Sequence, residues 1–200
     1  MEAIAKDRNG KLLVWIDIET TGLNCEQCDI LELAVAITTP NAEECLAQSS
    51  TVFQLPTHLV AWDDWALQQH EKSGLLKQCR NSTEPLNSSI AFAAIETAMV
   101  QAFRDTYPQH DMRMPSDFIL AGRGLHFDRS FLEHLVPGFS RMFSRRHLDV
   151  QALDQFAMMA FPDVYASRPR FEPTHRAMTD VLDAIRLYQY YQDAFGKKAR

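Results

Sequence analysis

The chain has 200 residues, of which 46% are hydrophobic and 23% are charged, a composition typical of an ordinary globular domain. Its net charge of −6 argues against a non-specific duplex binder, because such proteins depend on many phosphate contacts. No apolar run reaches the length of a membrane span, and the start from Met1 to Asp7 lacks a signal-peptide core or a transit pattern. We therefore expect one cytoplasmic domain over residues 1–200, with a core of about 11–195 and short flexible ends.

The first apolar segment, residues 12–18, predicts a buried strand that two carboxylates interrupt. Side chains alternate along a strand, so Asp17 and Glu19 point to the same face. Burying two like charges side by side costs several kcal/mol or more unless a cation compensates them. Oxygen ligands on a rigid strand suit Mg²⁺ or Mn²⁺. Taken alone, an Asp-x-Glu pair more often marks a strand end whose acids face solvent, so the metal interpretation needs support from downstream residues.

Two further strands are predicted at residues 30–37 and 51–55, with a turn near Asn41 between them. Three consecutive strands with short connections predict an antiparallel meander. In the first connection, Cys25 and Cys28 form a Cys-x-x-Cys, for which zinc or redox chemistry must be considered. A structural zinc needs four ligands and no second paired spacing occurs, so we interpret these cysteines as surface-loop thiols.

The middle of the chain predicts two helices separated by a polar loop. The first begins at Asp63 or Asp64 and ends near Gly74. It carries Trp65 and His70, which could stack on a base and contact a phosphate, or could equally be core and surface groups. Residues 78–89 form the loop, and a helix with an apolar stripe for the core follows it.

A strand at residues 118–122 and a helix from Phe131 onward bracket Asp128. This aspartate is either an ordinary helix N-cap or a third metal carboxylate. The second interpretation fits its place beyond the carboxyl end of a strand, where open α/β sheets collect their functional groups.

The last part of the chain predicts a short extended segment at 147–150, a helix at 152–160, a long loop at 161–173 and a final helix at 177–195. The loop is a candidate for a mobile lid or rim over a substrate. Asp180 lies at the edge of the inward stripe of the last helix. His175 precedes it by five residues, about 500° of helix, so it belongs to the loop or the first turn and approaches the same site from the side.

Most arginines of the chain lie between Arg113 and Arg176. A local basic rim on an acidic protein fits a small or single-stranded anion better than a long duplex. Scattered solvated arginines fit the same pattern.

Taken together, Asp17-x-Glu19, Asp128 behind a strand, and His175-x₄-Asp180 resemble the motifs of the DEDDh exonucleases, in their order. The likeness covers nearly the whole chain and is closest to the oligoribonuclease branch. Segments that echo this branch are Trp15-Ile16-Asp17, Trp62-Asp63-Asp64-Trp65, His70 with Ser73-Gly74-Leu75, Phe127-Asp128-Arg129-x-Phe131-Leu132 and Leu148-Asp149-Val150. The resemblance implies an α/β fold of the ribonuclease-H type, a mixed sheet flanked by helices in a single domain.

The same resemblance implies a 3′-5′ exonuclease that hydrolyses short single-stranded RNA to nucleoside 5′-monophosphates with two Mg²⁺ or Mn²⁺ ions. The implied metal ligands are Asp17, Glu19, Asp128 and Asp180, and the implied general base is His175. Leu23 would wedge against a base and His70 would lie near the 3′ end. The other implied substrate contacts are Thr20, Trp65 and Arg146. A homodimer is implied as well, and we expect no membrane partner. Phe139, Met142 and Phe143 are either candidate contacts of that dimer or side chains buried within the monomer.

Two segments depart from the oligoribonuclease pattern. The usual Tyr-Arg-Tyr-Leu-Asp-Val-Ser, part of a cap over the 5′ phosphate of a dinucleotide, is here Arg145-Arg146-His147-Leu148-Asp149-Val150-Gln151. The usual Gly-Asn-Ser is here Gly122-Arg123-Gly124. Longer RNA or single-stranded DNA with a free 3′ end therefore enters the expected substrate range. The alternatives are a DNA-directed or mixed RNA/DNA exonuclease, and a non-catalytic nucleic-acid-binding module, which would normally have lost a ligand or the histidine.

Overall fold

A mixed five-stranded sheet forms the centre of the protein, seen in a computed structural model that describes residues 10–56 and 60–198. The strands are Leu12–Thr20 (β1), Ile30–Thr38 (β2), Cys45–Val52 (β3), Phe118–Gly122 (β4) and His147–Asp149 (β5). Their spatial order is β3-β2-β1-β4-β5. The first three strands pair antiparallel, whereas β4 runs parallel to both β1 and β5. The predicted α/β class and the predicted meander are both confirmed.

Helices cover both faces of this sheet. They are Asp64–Lys72 (α1), Leu75–Asn81 (α2), Ser89–Thr106 (α3), His126–Leu135 (α4), Pro137–Ser140 (α5), Val150–Ala160 (α6), Pro162–Ala166 (α7) and Ala177–Lys198 (α8). Because side chains alternate along β1, this strand contributes to two parts of the core, one on each face of the sheet. Val14 and Ile16 pack with residues of α3, α4 and α5, whereas Leu13 and Trp15 pack with residues of α6 and α8. Positions 17 and 19 continue the second set, so β1 directs both of its carboxylates to the side covered by α8.

Gly122 allows α4 to begin close to β1. A Cβ atom at this position would lie 2.8 Å from the carbonyl oxygen of Ile16 and 2.8 Å from Cδ2 of Leu125. Any larger residue would push the start of α4 away from the sheet. The glycine therefore helps to bring the first turn of α4, which contains Asp128, against the strand that carries Asp17.

The third strand begins earlier than the sequence pattern predicts, at Cys45 instead of Thr51. Its residues Gln48, Ser49 and Ser50 are exposed and polar, as expected for a strand at the edge of a sheet. Backbone pairing with β2, and not a hydrophobic pattern, sets its limits.

Two short helices and one helix start also differ from the prediction. Helix α1 ends near Gly74, which has a φ of +77°, and α2 begins directly after this glycine. Part of the predicted 78–89 loop is therefore helical. Likewise α7 occupies part of the predicted 161–173 loop. Helix α4 begins at His126, so Asp128 lies inside its first turn and is not an N-cap.

The segment from Ser167 to Arg176, called the strap below, is tied to the rest of the molecule. Arg168 stacks over the ring of Tyr165 at 3.6 Å, and its Nε lies 3.0 Å from the buried carboxylate of Asp154 on α6. The hydroxyl of Tyr191 on α8 donates to the same carboxylate. The loop that was a candidate for a mobile lid or rim is thus anchored on α6 through Arg168.

Some expectations fall outside the part of the chain that the structure describes. The flexible ends expected at the two termini belong here, for residues 1–9 and 199–200. Among the described helices, none combines the length and the apolar character needed to cross a bilayer.

Candidate active site

Three carboxylates converge at the end of β1. Oxygen atoms of Asp17, Glu19 and Asp180 all lie within 4.8 Å of one another. The first two come from alternate positions of β1 on the face covered by α8, and the third comes from the first turn of α8. Residues 163 positions apart therefore meet because the last helix begins where the first strand ends.

Asp128 is the fourth member of this group, called the carboxylate cluster below. Its side chain is buried, and Oδ1 accepts a hydrogen bond of 3.1 Å from the backbone N–H of Ile18, between the two acids of β1. Burial raises the pKa of Asp128 to about 7, although hydrogen bonds from its own backbone and from Ile18 oppose the rise. The structure thus brings together all four residues predicted as metal ligands.

Burial opposes ionisation throughout the cluster, and repulsion from neighbouring carboxylates adds to it. The pKa of Asp17 is raised well above its ordinary value, first by burial and then by the charges of Asp128, Glu19 and Asp180. The pKa of Glu19 rises to about 8, again mainly by burial, with Asp180 and Glu32 adding to the rise and Arg176 opposing it. Without a further cation, the cluster holds protons near neutral pH.

The donor set fits divalent cations that prefer oxygen. All four side chains offer carboxylate oxygens, which are the ligands of Mg²⁺ and Mn²⁺. Among the described residues, Arg176 carries the positive charge that opposes the rise in the pKa of Glu19. Its guanidinium, however, already pairs with Glu32. A bound divalent cation would supply the compensation that the chain itself lacks.

His175 lies beside the cluster, two residues before α8 begins at Ala177. It is close enough to Asp180 to oppose the rise that burial causes in the pKa of that carboxyl. Its ring meets the edge of the Trp65 ring at 90°, with 5.2 Å between centroids. The backbone of His175 has a φ of +52°, a conformation that costs a non-glycine residue about 1–3 kcal/mol and persists only where the surroundings enforce it.

A cleft of about 360 Å³ opens next to Glu19. Its lining residues come from β1, the following loop and helices α1 and α4: Ile18, Glu19, Thr20, Gly22, Leu23, Asp63, Trp65, Ala66, His70 and Phe127. Leu23 is 77% exposed and Trp65 is 59% exposed, which is unusual for large apolar side chains at the rim of one cleft. Such a site suits a flat, partly apolar group such as a nucleobase.

Local hydrogen bonds hold the loop that carries Leu23. The backbone N–H of Asp63 donates to the carbonyl oxygen of Thr21 at 2.9 Å, and the Asp63 carboxylate caps α1 by accepting from Trp65 and Ala66 at 3.0 Å each. Both rim residues are therefore fixed through one aspartate.

Cys28 packs beneath this loop and is buried, so its prediction as a surface thiol is wrong. A Cβ at position 22 would lie 2.9 Å from the sulfur of Cys28, which explains the need for Gly22. The other cysteine of the pair, Cys25, is partly buried and packs against the core.

His70 lies at the bottom of the cleft with a defined tautomer. Nε2 is 2.8 Å from the carbonyl oxygen of Thr20, which can only accept, so Nε2 carries the proton. Nδ1 lies 3.7 Å from a carboxylate oxygen of Glu19. Burial lowers the pKa of His70, which favours the neutral ring. Thr20 and His70 thus act as a pair that fixes the end of β1.

Arg146 is the predicted contact that the structure does not bring into the cleft. Its side chain is exposed just before β5, outside the residues that line the cleft. Two arginines of the predicted basic rim also form ion pairs within the chain: Arg123 with Asp154 at 3.9 Å, and Arg129 with Glu133 at 2.8 Å.

Sequence reasoning missed the pair formed by Glu32 and Arg176. The only signal was a single acid inside the apolar run from Ile30 to Ile37, the same kind of interruption that drew attention to Asp17. Nothing local indicated that its partner lies 144 positions downstream.

Residues 14–188 match the family model described as exonuclease. The oligoribonuclease of Azoarcus sp. (strain BH72) is 31% identical over 98% of this chain and 100% of its own length.

Two solved structures share the fold. The zinc-ion-bound complex of Escherichia coli ExoI with single-stranded DNA has a TM-score of 0.69 at 12% identity, covering 94% of this chain and 42% of the ExoI chain. This chain therefore spans less than half of that longer protein. The Mg²⁺- and Mn²⁺-bound form of Schizosaccharomyces pombe Pop2p has a TM-score of 0.60 at 11% identity, covering 92% and 84%.

Without divalent cations, the protein should lose stability as the pH rises. The folded-state pKa values of Glu19 and Asp128, about 8 and about 7, exceed the ordinary values of 4.5 and 3.8, so the folded chain holds more protons than the unfolded chain in between. Stability contributed by these protons is complete below about pH 4 and is lost as the pH approaches 8. Melting temperatures in chelator at pH 5–8 should therefore fall more steeply than in Mg²⁺, and Glu19→Gln should reduce that difference. Identical curves with and without Mg²⁺ would contradict the fit to a cation.

Proposed function

Because this chain belongs to the exonuclease family, we propose that it hydrolyses short single-stranded RNA from the 3′ end and releases nucleoside 5′-monophosphates. The observation that carries this proposal is the carboxylate cluster with His175 beside it, at the mouth of a cleft that fits a base. The oligoribonuclease relative supports RNA as the substrate class. The fold likeness to the ExoI complex with single-stranded DNA favours a DNA-directed enzyme as the second candidate.

Asp17, Glu19, Asp128 and Asp180 would hold two divalent cations, Mg²⁺ or Mn²⁺. Such cations stabilise charge on the attacking and leaving oxygens of an in-line phosphodiester displacement. The chain's own contribution is to hold four carboxylates close together on a strand and two helices, in spite of their repulsion. Pop2p, which shares the fold, was solved with Mg²⁺ and Mn²⁺.

His175 would be the general base that accepts a proton from the attacking water. Histidine suits this task because it exchanges protons near neutral pH. Contact with Trp65 and a constrained backbone hold the ring beside Asp180, which supports the assignment.

The terminal nucleotide would enter the cleft between Leu23 and Trp65. Stacking of a base on an aromatic side chain is worth roughly 1–3 kcal/mol and does not depend on the identity of the base. His70 and Thr20, at the bottom of the cleft, would then lie near the 3′ end.

A time course with labelled RNA and DNA oligomers tests the proposal. In Mn²⁺, RNA of two to about twenty nucleotides should shorten from the 3′ end, because two-metal catalysis requires divalent cations. Excess chelator should abolish hydrolysis, and added Mg²⁺ or Mn²⁺ should restore it. Faster cleavage of DNA would support the second candidate. Binding without cleavage would favour a non-catalytic nucleic-acid-binding module, and full activity in chelator would exclude the two-metal mechanism.

His175→Ala should lower kcat by about 10²–10⁴ while substrate binding is retained, because removing a general base leaves the carboxylate ligands intact. Asp180→Asn should also weaken Mn²⁺ binding. Both quantities can be measured by steady-state kinetics and by titration calorimetry with Mn²⁺. The matched control is His134→Ala, an exposed histidine on α4. Wild-type turnover in His175→Ala would remove the histidine from the mechanism.

Substrate length is where this chain departs from the oligoribonuclease pattern. Gly124 provides no side-chain donor, and a Cβ there would lie 3.1 Å from the amide oxygen of Gln151, which occupies the adjacent space. Arg145 and Arg146 are exposed, and guanidinium groups bind phosphates without reading sequence. We therefore propose an open path for longer strands where the oligoribonuclease pattern implies a cap over a dinucleotide.

Dinucleotides should accordingly hold no large advantage over oligomers of five or more nucleotides. The measurement is kcat/KM against length at one salt concentration, with the longer substrates losing more activity as salt rises. Arg145→Ala with Arg146→Ala should reduce activity on the longer oligomers only. A preference for dinucleotides above about a hundredfold, roughly 3 kcal/mol, would show that other residues rebuild the cap.

We also propose a homodimer, but not through the residues expected first. Phe139 and Phe143 are buried in the monomer core, so they are unavailable for a contact between subunits, and Met142 is partly buried and packs against the same core. Exposed apolar side chains occur instead on α6, with Phe156 at 49%, Met158 at 43% and Met159 at 74% exposure.

Light scattering at micromolar concentration should therefore give about twice the monomer mass of 22.9 kDa. Met159→Asp should shift the protein towards the monomer, because a charge would be buried in the contact. Ile90→Asp, at an equally exposed position on α3, is the matched control and should leave the mass unchanged. A wild-type protein that stays monomeric would rule out the dimer.

A further inference from the structure

We propose that Glu32 and Arg176 are positioning residues that hold His175 beside the carboxylate cluster. This inference rests on the proposed function, since it assigns the pair a task in the same reaction. The pair is called the clamp below. It lies outside the metal ligands, and its charged groups meet through direct hydrogen bonds.

The clamp is a two-point contact. Nε of Arg176 donates to Oε2 of Glu32 at 3.0 Å, and Nη2 donates to Oε1 at 3.0 Å. Two parallel bonds fix the plane of the guanidinium as well as its distance. The side chain of Glu32 is 2% exposed and that of Arg176 is 27% exposed, so the contact is partly shielded from water, which strengthens charged hydrogen bonds.

Further hydrogen bonds attach the clamp to three other parts of the fold. Glu32 also accepts from the backbone N–H of Ala177 and from the hydroxyl of Ser50, each at 3.2 Å. The guanidinium of Arg176 donates in addition to the side-chain oxygen of Gln78 at 2.8 Å. The clamp therefore joins the start of α8 to β2, β3 and α2.

His175 depends on this attachment because it is the residue immediately before Arg176. Its φ of +52° lies in a region that L-residues rarely adopt, and the conformation persists only where the surroundings enforce it. Arg176 fixes the chain on one side of the histidine, and Trp65 contacts the ring on the other. Without the clamp, the backbone can relax to negative φ and turn the ring away from Asp180.

The sheet links the clamp to the cluster directly. Glu32 and Glu19 are register partners across β1 and β2, so their side chains lie on the same face of the sheet as neighbours. One carboxylate belongs to the cluster and the other holds the residue after His175. The ladder of hydrogen bonds between the two strands thus fixes both the metal ligands and the general base in one frame.

The decisive test is whether Arg176 acts through His175. Arg176→Ala should lower kcat by about a hundredfold with little change in KM, the effect expected for a catalytic group displaced by about 1 Å. In the His175→Ala background, the same substitution should change kcat by less than about twofold, because there is no ring left to position. Equal losses in both backgrounds would show a general structural role and would overturn the proposal, as would wild-type kcat in Arg176→Ala.

The partner residue supplies the second arm. Glu32→Gln should lower kcat to a similar extent. The double variant Glu32→Gln with Arg176→Ala should lose no more kcat than the worse single variant, because both substitutions remove the same contact. Fully additive losses would contradict a shared role. Arg186→Ala is the matched control, since Arg186 is an arginine of α8 that pairs with Asp183 at 2.9 Å and is 61% exposed.

Removing one partner of a buried ion pair can unfold a protein, so the neutral double variant Glu32→Gln with Arg176→Gln provides a folded alternative. Histidine-labelled protein gives a readout independent of activity. The NMR signal of the His175 ring, assigned by its loss in His175→Ala, should shift or broaden in every clamp variant and stay in place in Arg186→Ala. An unchanged His175 signal in the clamp variants would overturn the proposal. A wild-type protein inactive on all oligonucleotides would contradict only the proposed function, because the NMR test would still stand.

Discussion

Repulsion between buried carboxylates is the constraint on which the rest of this structure depends. Asp17 and Glu19 come from one strand, Asp128 from the helix behind the next parallel strand, and Asp180 from the last helix. Burial and proximity raise the pKa of each of them. Such an arrangement is costly for folding, and a protein retains it only where the charge has a use. The surrounding elements serve as the frame that imposes it.

Much of this frame could be predicted from periodicity. Alternation along β1 correctly assigned Asp17 and Glu19 to one face, and the strand at residues 118–122 has the predicted bounds. These elements are buried, so their apolar pattern is strong. The early start of β3 and the short helices α2 and α7 escaped prediction. The limits of the exposed edge strand β3 depend on its pairing with β2, and α2 and α7 are too short to show a clear helical period.

The sequence could predict which residues form the site, but not which residues hold them in place. The resemblance to the DEDDh motifs identified the four acids and His175 as one group, and the structure brings them together. Spacing carries no information about long-range pairs such as Glu32 with Arg176, which only the completed sheet brings into contact. Nor did an apolar segment reveal which way it faces: Phe139 and Phe143 fill the core of their own subunit.

Two ion pairs fix the ends of the strap. Arg168 is held by Asp154 and Arg176 by Glu32, so only seven residues lie between the fixed points. Swinging this segment outward would separate a buried carboxylate from its arginine, which costs about 3–5 kcal/mol in comparable pairs. The open state would be rare, so the strap stays in place and does not act as a mobile lid. Under the proposed function, a strand would pass Leu23 and Trp65 with its end first, a route that a chain closed into a circle does not offer.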